Sequence, residues 1–400
     1  MRFFERRFIY GTIILTCIFF SSNIGLSNVT DIDDITYEWE EMKNAGNPGR
    51  LQHLNLAYDI KNDKMILAGG RYVDGTLSNK TWAFSFDTNM WADRNPLNIF
   101  PVRQWSHMTY NSVENTTIIM GGGAQYGDAI NDLWEYDYLE NNWTELAPHP
   151  TRGWIFPRFT FVDSLNALFF FGGANPRQNW IIENWWYFFS NNTWKPVSPK
   201  SMPSEFLNGS LLFENLDWSF DVIYYKDLDT ILLFKPEDVY EYSITNNDWT
   251  DLNATGDGSP VGRTDIFYNP NTDLFYRFGG FFSDGSFSGK TWSFNYHTKK
   301  WQEIIFTGVT PPSRDTDSNI EFNPKLNLAL LYGGAEGIYL NDTWHLKMID
   351  PSAFSSSSNT GTISGTNSST TTTSPQTSSI PLIFMVLSFS ALIIVRKRKR

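Results

Sequence analysis

Six tryptophans, Trp39, Trp91, Trp143, Trp194, Trp249 and Trp301, recur at spacings of 52, 52, 51, 55 and 52 residues. A period of that length marks a repeat architecture, in which each unit is one supersecondary element unable to bury its own apolar face. Three further series keep the same frame. An aromatic lies about nine residues before each of the last five tryptophans, at Trp82, Trp134, Trp186, Tyr240 and Trp292, with Trp344 following. Diglycines fall at Gly69-Gly70, Gly121-Gly122, Gly172-Gly173, Gly279-Gly280 and Gly333-Gly334. Eleven residues before each diglycine stands Tyr58, Tyr110, Phe161, Tyr268 or Phe322, with Asp63, Asn115, Asn166, Asp273 or Asn327 midway. One unit departs from the frame: Tyr224 and Asp229 keep it, but Lys235-Pro236 replaces the diglycine.

Each unit reads as four short strands. Two flank a turn such as Asn62-Asp63, the second ends in diglycine where backbone must approach closely or take positive φ, and two more surround the next turn. Four strands in about 52 residues is the arithmetic of a propeller blade. The chain therefore reads as all-β, a six-bladed propeller over residues 31–350. The last unit has Trp344 but no outer-strand tryptophan after it, and Trp39 precedes the first unit. The N-terminal strand around Trp39 is thus expected to complete the last blade and latch the ring, which removes open sheet edges. The diglycine, the third-strand aromatic and the outer-strand tryptophan, in one frame over residues 35 to 348, resemble the kelch repeat family. That resemblance implies a β-propeller and a binding role.

Composition narrows the rest. Aromatics are 16% and charged residues only 18%, which excludes a disordered chain. The net charge of −12 disfavours nucleic acid as a partner. The single cysteine, Cys17, excludes an intrachain disulfide and a Cys-rich zinc site. Residues 1–27 read as a signal peptide: Arg2, Arg6 and Arg7 precede the apolar run Phe8 to Phe20. An uncleaved anchor is the alternative. Residues 355–379 are a Ser/Thr-rich stalk, 380–395 an apolar segment and 396–400 a basic tail. Basic residues behind an apolar segment favour the cytoplasmic side, which leaves the propeller outside, at the cell membrane. The segment reads either as a transmembrane helix or as a surface-sorting signal. Setting aside the three Arg and one Glu of the N-terminal segment and the five basic residues of the tail leaves 23 basic and 42 acidic residues, a net of −19.

No catalytic set emerges. The histidines His53, His107, His149, His297 and His345 show no metal-ligand spacing, and no metal or cofactor is expected. An arginine precedes the first strand in five units: Arg50, Arg103, Arg152, Arg263 and Arg314. Gathered round the channel mouth, these would bind an anion; alternatively each bonds carbonyls of a neighbouring blade. The fourth unit carries an insertion, roughly 200 to 220, with Phe213 and Trp218, expected either to wall that site or to be a surface loop without a role. Sequons stand at Asn28, Asn79, Asn115, Asn142, Asn191, Asn208, Asn253, Asn341 and Asn367, candidates for glycosylation in an exported chain. The expected function is that of a membrane-tethered module binding a protein or glycan at the cell surface. The alternatives are a surface-layer scaffold or an enzyme using channel carboxylates on carbohydrate.

Overall fold

The computed structural model describes residues 35–349 except 44, 126, 176–178, 203–219, 257–263, 283 and 317–318. The signal, stalk, apolar and tail segments lie outside these residues, as do Arg263, Phe213, Trp218, Asn28, Asn208 and Asn367. None of the described residues forms a helix long and apolar enough to cross a membrane.

Six antiparallel sheets of four or five strands make the blades. From innermost to outermost strand, blade 1 is Asn55–Asp59, Lys64–Ala68, Thr81–Ser85 and Met90–Asp93. Blade 2 is His107–Asn111, Thr116–Met120, Leu133–Asp137 and Asn142–Leu146. Blade 3 is Phe159–Val162, Ala167–Phe170, Asn184–Phe188 and Thr193–Val197. Blade 4 is Asp221–Tyr225, Thr230–Phe234, Val239–Ser243 and Asp248–Asp251. Blade 5 is Asp265–Asn269, Leu274–Phe278, Thr291–Asn295 and Lys300–Ile304, with Thr255–Gly256 added in parallel outside Lys300–Ile304. Blade 6 is Ile320–Asn323, Leu328–Tyr332 and Thr343–Ile349, and its outermost strand is Thr36–Glu41 from the other end of the chain.

The six innermost strands touch in a closed cycle, the strand of blade 6 meeting that of blade 1. The core is six apolar wedges, each between two consecutive blades. An outer-strand tryptophan fills each wedge from the rim. Trp143 Nε1 donates to Thr81 Oγ1 of blade 1 at 2.9 Å, and Trp91 Nε1 to Thr343 Oγ1 of blade 6 at 3.1 Å. Trp39 lies with its ring centroid 4.9 Å from that of Phe278 in blade 5.

Strand register corrects one member of the third-strand series. In blades 1, 2, 5 and 6 the residue two before the diglycine faces Trp82, Trp134, Trp292 and Trp344. In blade 3 the same place, Phe170, faces Trp185 rather than Trp186. Adjacent tryptophans point to opposite faces of a strand, so the single-residue slip changes which wedge each one fills.

The diglycines join blade to blade. The second glycine N–H donates to a carbonyl in the entry loop of the next blade: Gly70 to Arg103 at 2.9 Å, Gly122 to Trp154 at 2.7 Å, Gly280 to Arg314 at 2.8 Å and Gly334 to Leu51 at 3.2 Å. Gly122 shows why the position excludes side chains. Its φ is 100°, and a Cβ there would sit 2.6 Å from the Gln104 carbonyl oxygen.

Candidate functional site

These glycine bonds also fix which entry-loop residues are equivalent. The place held by Arg103 and Arg314 belongs to Leu51 in blade 1 and Trp154 in blade 3. Arg50 and Arg152 are out of register with it. Arg103 is fully buried, with Asp132 at 2.7 Å to each carboxylate oxygen and the Gly121 carbonyl at 2.9 Å. Arg314 repeats the arrangement with Asp342 at 2.7 Å twice and the Gly333 carbonyl at 2.8 Å. Each aspartate also accepts from the indole of the third-strand tryptophan, Trp134 or Trp344. The expectation of a ring of ligand-binding arginines is thereby corrected at Arg103 and Arg314. Arg103 and Arg314 spend their donors inside their own blades, where a buried guanidinium must be paired to offset its desolvation. Arg50 is exposed, and Arg152 is half-buried with Glu183 at 2.9 Å.

Two further arginines, not singled out by the repeat pattern, bridge blades. Arg158 Nε donates to the Phe220 carbonyl at 2.7 Å and lies 2.9 Å from Asp221 Oδ1. Arg277 occupies the place two before the diglycine of blade 5, where the other blades carry apolar residues. It donates to the carbonyls of Lys235 and Pro236, at 2.9 and 3.0 Å, and so occupies the region of blade 4 where the diglycine is missing. Burial lowers its pKa to about 10.

The open space lies on the ring axis. One cavity of about 200 Å³ is lined by residues of all six innermost strands, among them His107, Phe159, Asp221, Asp265 and Glu321. A second of about 320 Å³ opens at the end where those strands turn outward. Thr109, Thr160, Tyr268 and Glu321 line both, so the two are parts of one lumen. The carboxyl of Asp265 is pushed well above the usual range, first by burial and then by Asp221 beside it. Burial pushes Glu321 up to about 7. Its carboxylate accepts from the Phe322 N–H at 2.8 Å and, among the described residues, has no basic side chain in ion-pair reach.

The outward end is built by the six first hairpins. Each turns through a left-handed Asp or Asn: Asp63, Asn115, Asn166, Asp229, Asp273 and Asn327, with φ between 46° and 61°. Tyr58, Tyr224 and Tyr268 donate their hydroxyls to the aspartate five residues on, at 2.6, 2.8 and 2.8 Å. The aromatic series of the repeat, Tyr58, Tyr110, Phe161, Tyr224, Tyr268 and Phe322, meets here as the wall of the mouth. Around it five of the six turns present an exposed aliphatic: Ile60 at 44%, Val113 at 48%, Leu165 at 41%, Leu228 at 48% and Leu326 at 50%. Blade 5 has Pro270 at the mouth instead.

The histidines sit apart: His107 lines the inner cavity, and His297 Nε2 lies 2.8 Å from Asp273 at the surface. His149 is fully buried against the rings of Trp154, Phe170, Trp185 and Trp194, and burial lowers its pKa to about 3. Among the described residues, no three His, Cys, Asp or Glu side chains are gathered as a metal-binding set. The described sequon asparagines Asn79, Asn115, Asn142, Asn191, Asn253 and Asn341 are exposed or half-exposed.

The sequence model of the KLHDC2/KLHL20/DRC7 Kelch-repeats domain matches residues 22–211. The fold is an all-β six-bladed propeller, consistent with a kelch-type one. Family match and architecture together support the kelch propeller family, whose propellers typically serve as protein-interaction modules. No curated protein matches the chain. In this propeller the diglycines and outer-strand tryptophans hold the blades together, while the lumen residues vary from blade to blade.

Proposed function

We propose that the chain is a protein-binding propeller displayed on the outside of a cell and tethered through its C-terminal segment. The observation that carries the binding role is the aliphatic ring of Ile60, Val113, Leu165, Leu228 and Leu326 around the lumen mouth. Scattered exposed aliphatics are ordinary, but five of the six first-hairpin turns each present one, on the end of the ring where the aromatic-walled opening lies. The tether rests on the apolar segment 380–395 followed by five basic residues. Surface crosslinking of intact cells expressing the full chain, compared with an Ile60→Ser/Leu228→Ser/Leu326→Ser variant, tests the reading. The expected result is protein crosslinks to the native chain, lost in the variant at unchanged melting temperature. Equal crosslinking by both would overturn it, and so would protection of the propeller from protease added outside intact cells.

The raised carboxyls of Asp265 and Glu321 favour a second reading, catalysis on carbohydrate within the lumen, since shifted acids cluster at active sites. Turnover of a sugar panel by the purified chain, abolished in Asp265→Asn, would establish it.

A further inference from the structure

The lumen mouth combines three features that no single blade explains. Its wall is aromatic, with four phenol rings among the six positions. Its rim is aliphatic. At its floor, shared with the inner cavity, stands the carboxylate of Glu321, which no basic side chain among the described residues meets. Two acids along the lumen are answered by basic side chains. Asp221 has Arg158, and at the mouth Lys226 reaches Asp163 at 2.6 Å. Asp265 and Glu321 have no ion-pair partner among the described residues; Asp265 accepts from the Ile266 and Ile320 N–H groups and lines the inner cavity alone, whereas Glu321 lines both that cavity and the mouth of about 320 Å³.

A carboxylate left unanswered in a desolvated site is costly unless something cationic arrives. Aromatic faces around the approach attract a cation further, by about 0.5–2 kcal/mol when desolvated. The propeller remainder is strongly acidic, at −19 once both terminal segments are set aside, which steers basic partners inward. We propose that the mouth takes one basic side chain of a protein partner, arginine or lysine, whose cation pairs with Glu321 between Tyr58, Tyr110, Tyr224 and Tyr268, while flanking partner residues rest on the aliphatic rim. This inference rests on the protein-binding reading above and names the chemistry of the group bound. Because burial holds Glu321 protonated up to about pH 7, binding a cation expels a proton and strengthens as pH rises through neutrality. The other titratable groups along the lumen are His107, Asp221 and Asp265 in the inner cavity, with Arg158 beside Asp221, and Tyr58, Tyr110, Asp163, Tyr224, Lys226 and Tyr268 at the mouth.

The test is fluorescence anisotropy of a labelled Gly-Ala-Arg-Ala-Gly peptide against the full chain and Glu321→Gln. A citrulline peptide serves as the neutral isostere of the arginine one. The arginine peptide is expected to bind, with affinity rising between pH 6 and 8. Citrulline or Glu321→Gln is expected to weaken it by about tenfold or more and to flatten the pH dependence. No binding, equal binding of the citrulline peptide, or an unchanged Glu321→Gln would overturn the proposal. The serine variant of the rim separates the two readings. If it keeps its surface crosslinks while Glu321 still selects arginine, the rim reading fails and the cation site stands. If it loses them while citrulline binds as well as arginine, the reverse holds.

Discussion

Arg103 and Asp132 meet through two parallel contacts of 2.7 Å each, with the guanidinium wholly removed from solvent inside blade 2. Breaking such a pair from one side leaves a buried charge unanswered, at about 3–5 kcal/mol. Arg103→Ala should therefore lower denaturant stability by that amount, and Arg314→Ala, facing Asp342, should do the same. An Arg103→Met/Asp132→Leu double variant should cost less than either single alanine, because both charges leave together. Urea unfolding followed by tryptophan fluorescence measures all of these. An Arg103→Ala chain as stable as the native one would return the arginine to the role of a ligand contact.

Arg277 makes a related prediction in blade 5. Its donors satisfy the Lys235 and Pro236 carbonyls, at the place where blade 4 lacks the diglycine. Arg277→Leu restores the residue type of the other blades but strands those carbonyls, costing about 1–3 kcal/mol for each group left buried and unbonded. If the guanidinium were a passive filler, leucine would be neutral or stabilising, and the melting temperature would show it.

Glu321 and Asp342 should pull acid stability in opposite directions. The Glu321 pKa is raised in the folded state, so the fold binds the extra proton, and stability falls as pH rises from the unfolded value of 4.5 to about 7. Glu321→Gln removes that penalty and should stabilise the chain at pH 8 by on the order of 1–2 kcal/mol, with little effect at pH 4. For Asp342, burial opposes ionisation, but Arg314 outweighs it and holds the pKa below the usual value. That contribution is present above the unfolded pKa and is lost as pH falls. Melting curves between pH 3 and 8 for native, Glu321→Gln and Asp342→Asn chains separate the two. A Glu321→Gln curve parallel to the native one throughout would refute the raised pKa.

What the sequence discloses follows from which constraints are local. Asp63, Asn115, Asn166, Asp273 and Asn327 could be placed at turns because only a short list of residues tolerates a left-handed backbone, and all five adopt it. The outer tryptophans were legible because bulky aromatics at a fixed period have one use in a stacked sheet. Register was harder: Trp185 and Trp186 are chemically alike, and only strand pairing tells which faces Phe170. Arg50 and Arg152 were drawn into the arginine series by sequence proximity, although the glycine bonds place Leu51 and Trp154 there. Arg158, Arg277 and Glu321 carried no signal. Their partners, or lack of them, are set by neighbouring blades tens of residues away.

The outermost strand of blade 6 supplies the last prediction. Thr36–Glu41 pairs along its whole length with Thr343–Ile349, from Thr36 opposite Ile349 to Glu41 opposite Trp344. Trp39 on this strand is only 4% exposed, in the wedge against Phe278 and Phe306 of blade 5. Large-to-small substitution at such a site costs about 3–5 kcal/mol, so Trp39→Ala should lower the melting temperature clearly. Deleting residues 31–42 should do more. It removes the tryptophan and also exposes the edge of Thr343–Ile349 to pairing with other chains, so concentration-dependent association should accompany the lower melting temperature. Light scattering and thermal melts of the two variants measure these effects. A deletion chain that stays monomeric and melts with the native one would show that the strand rests on the blade without holding the ring closed.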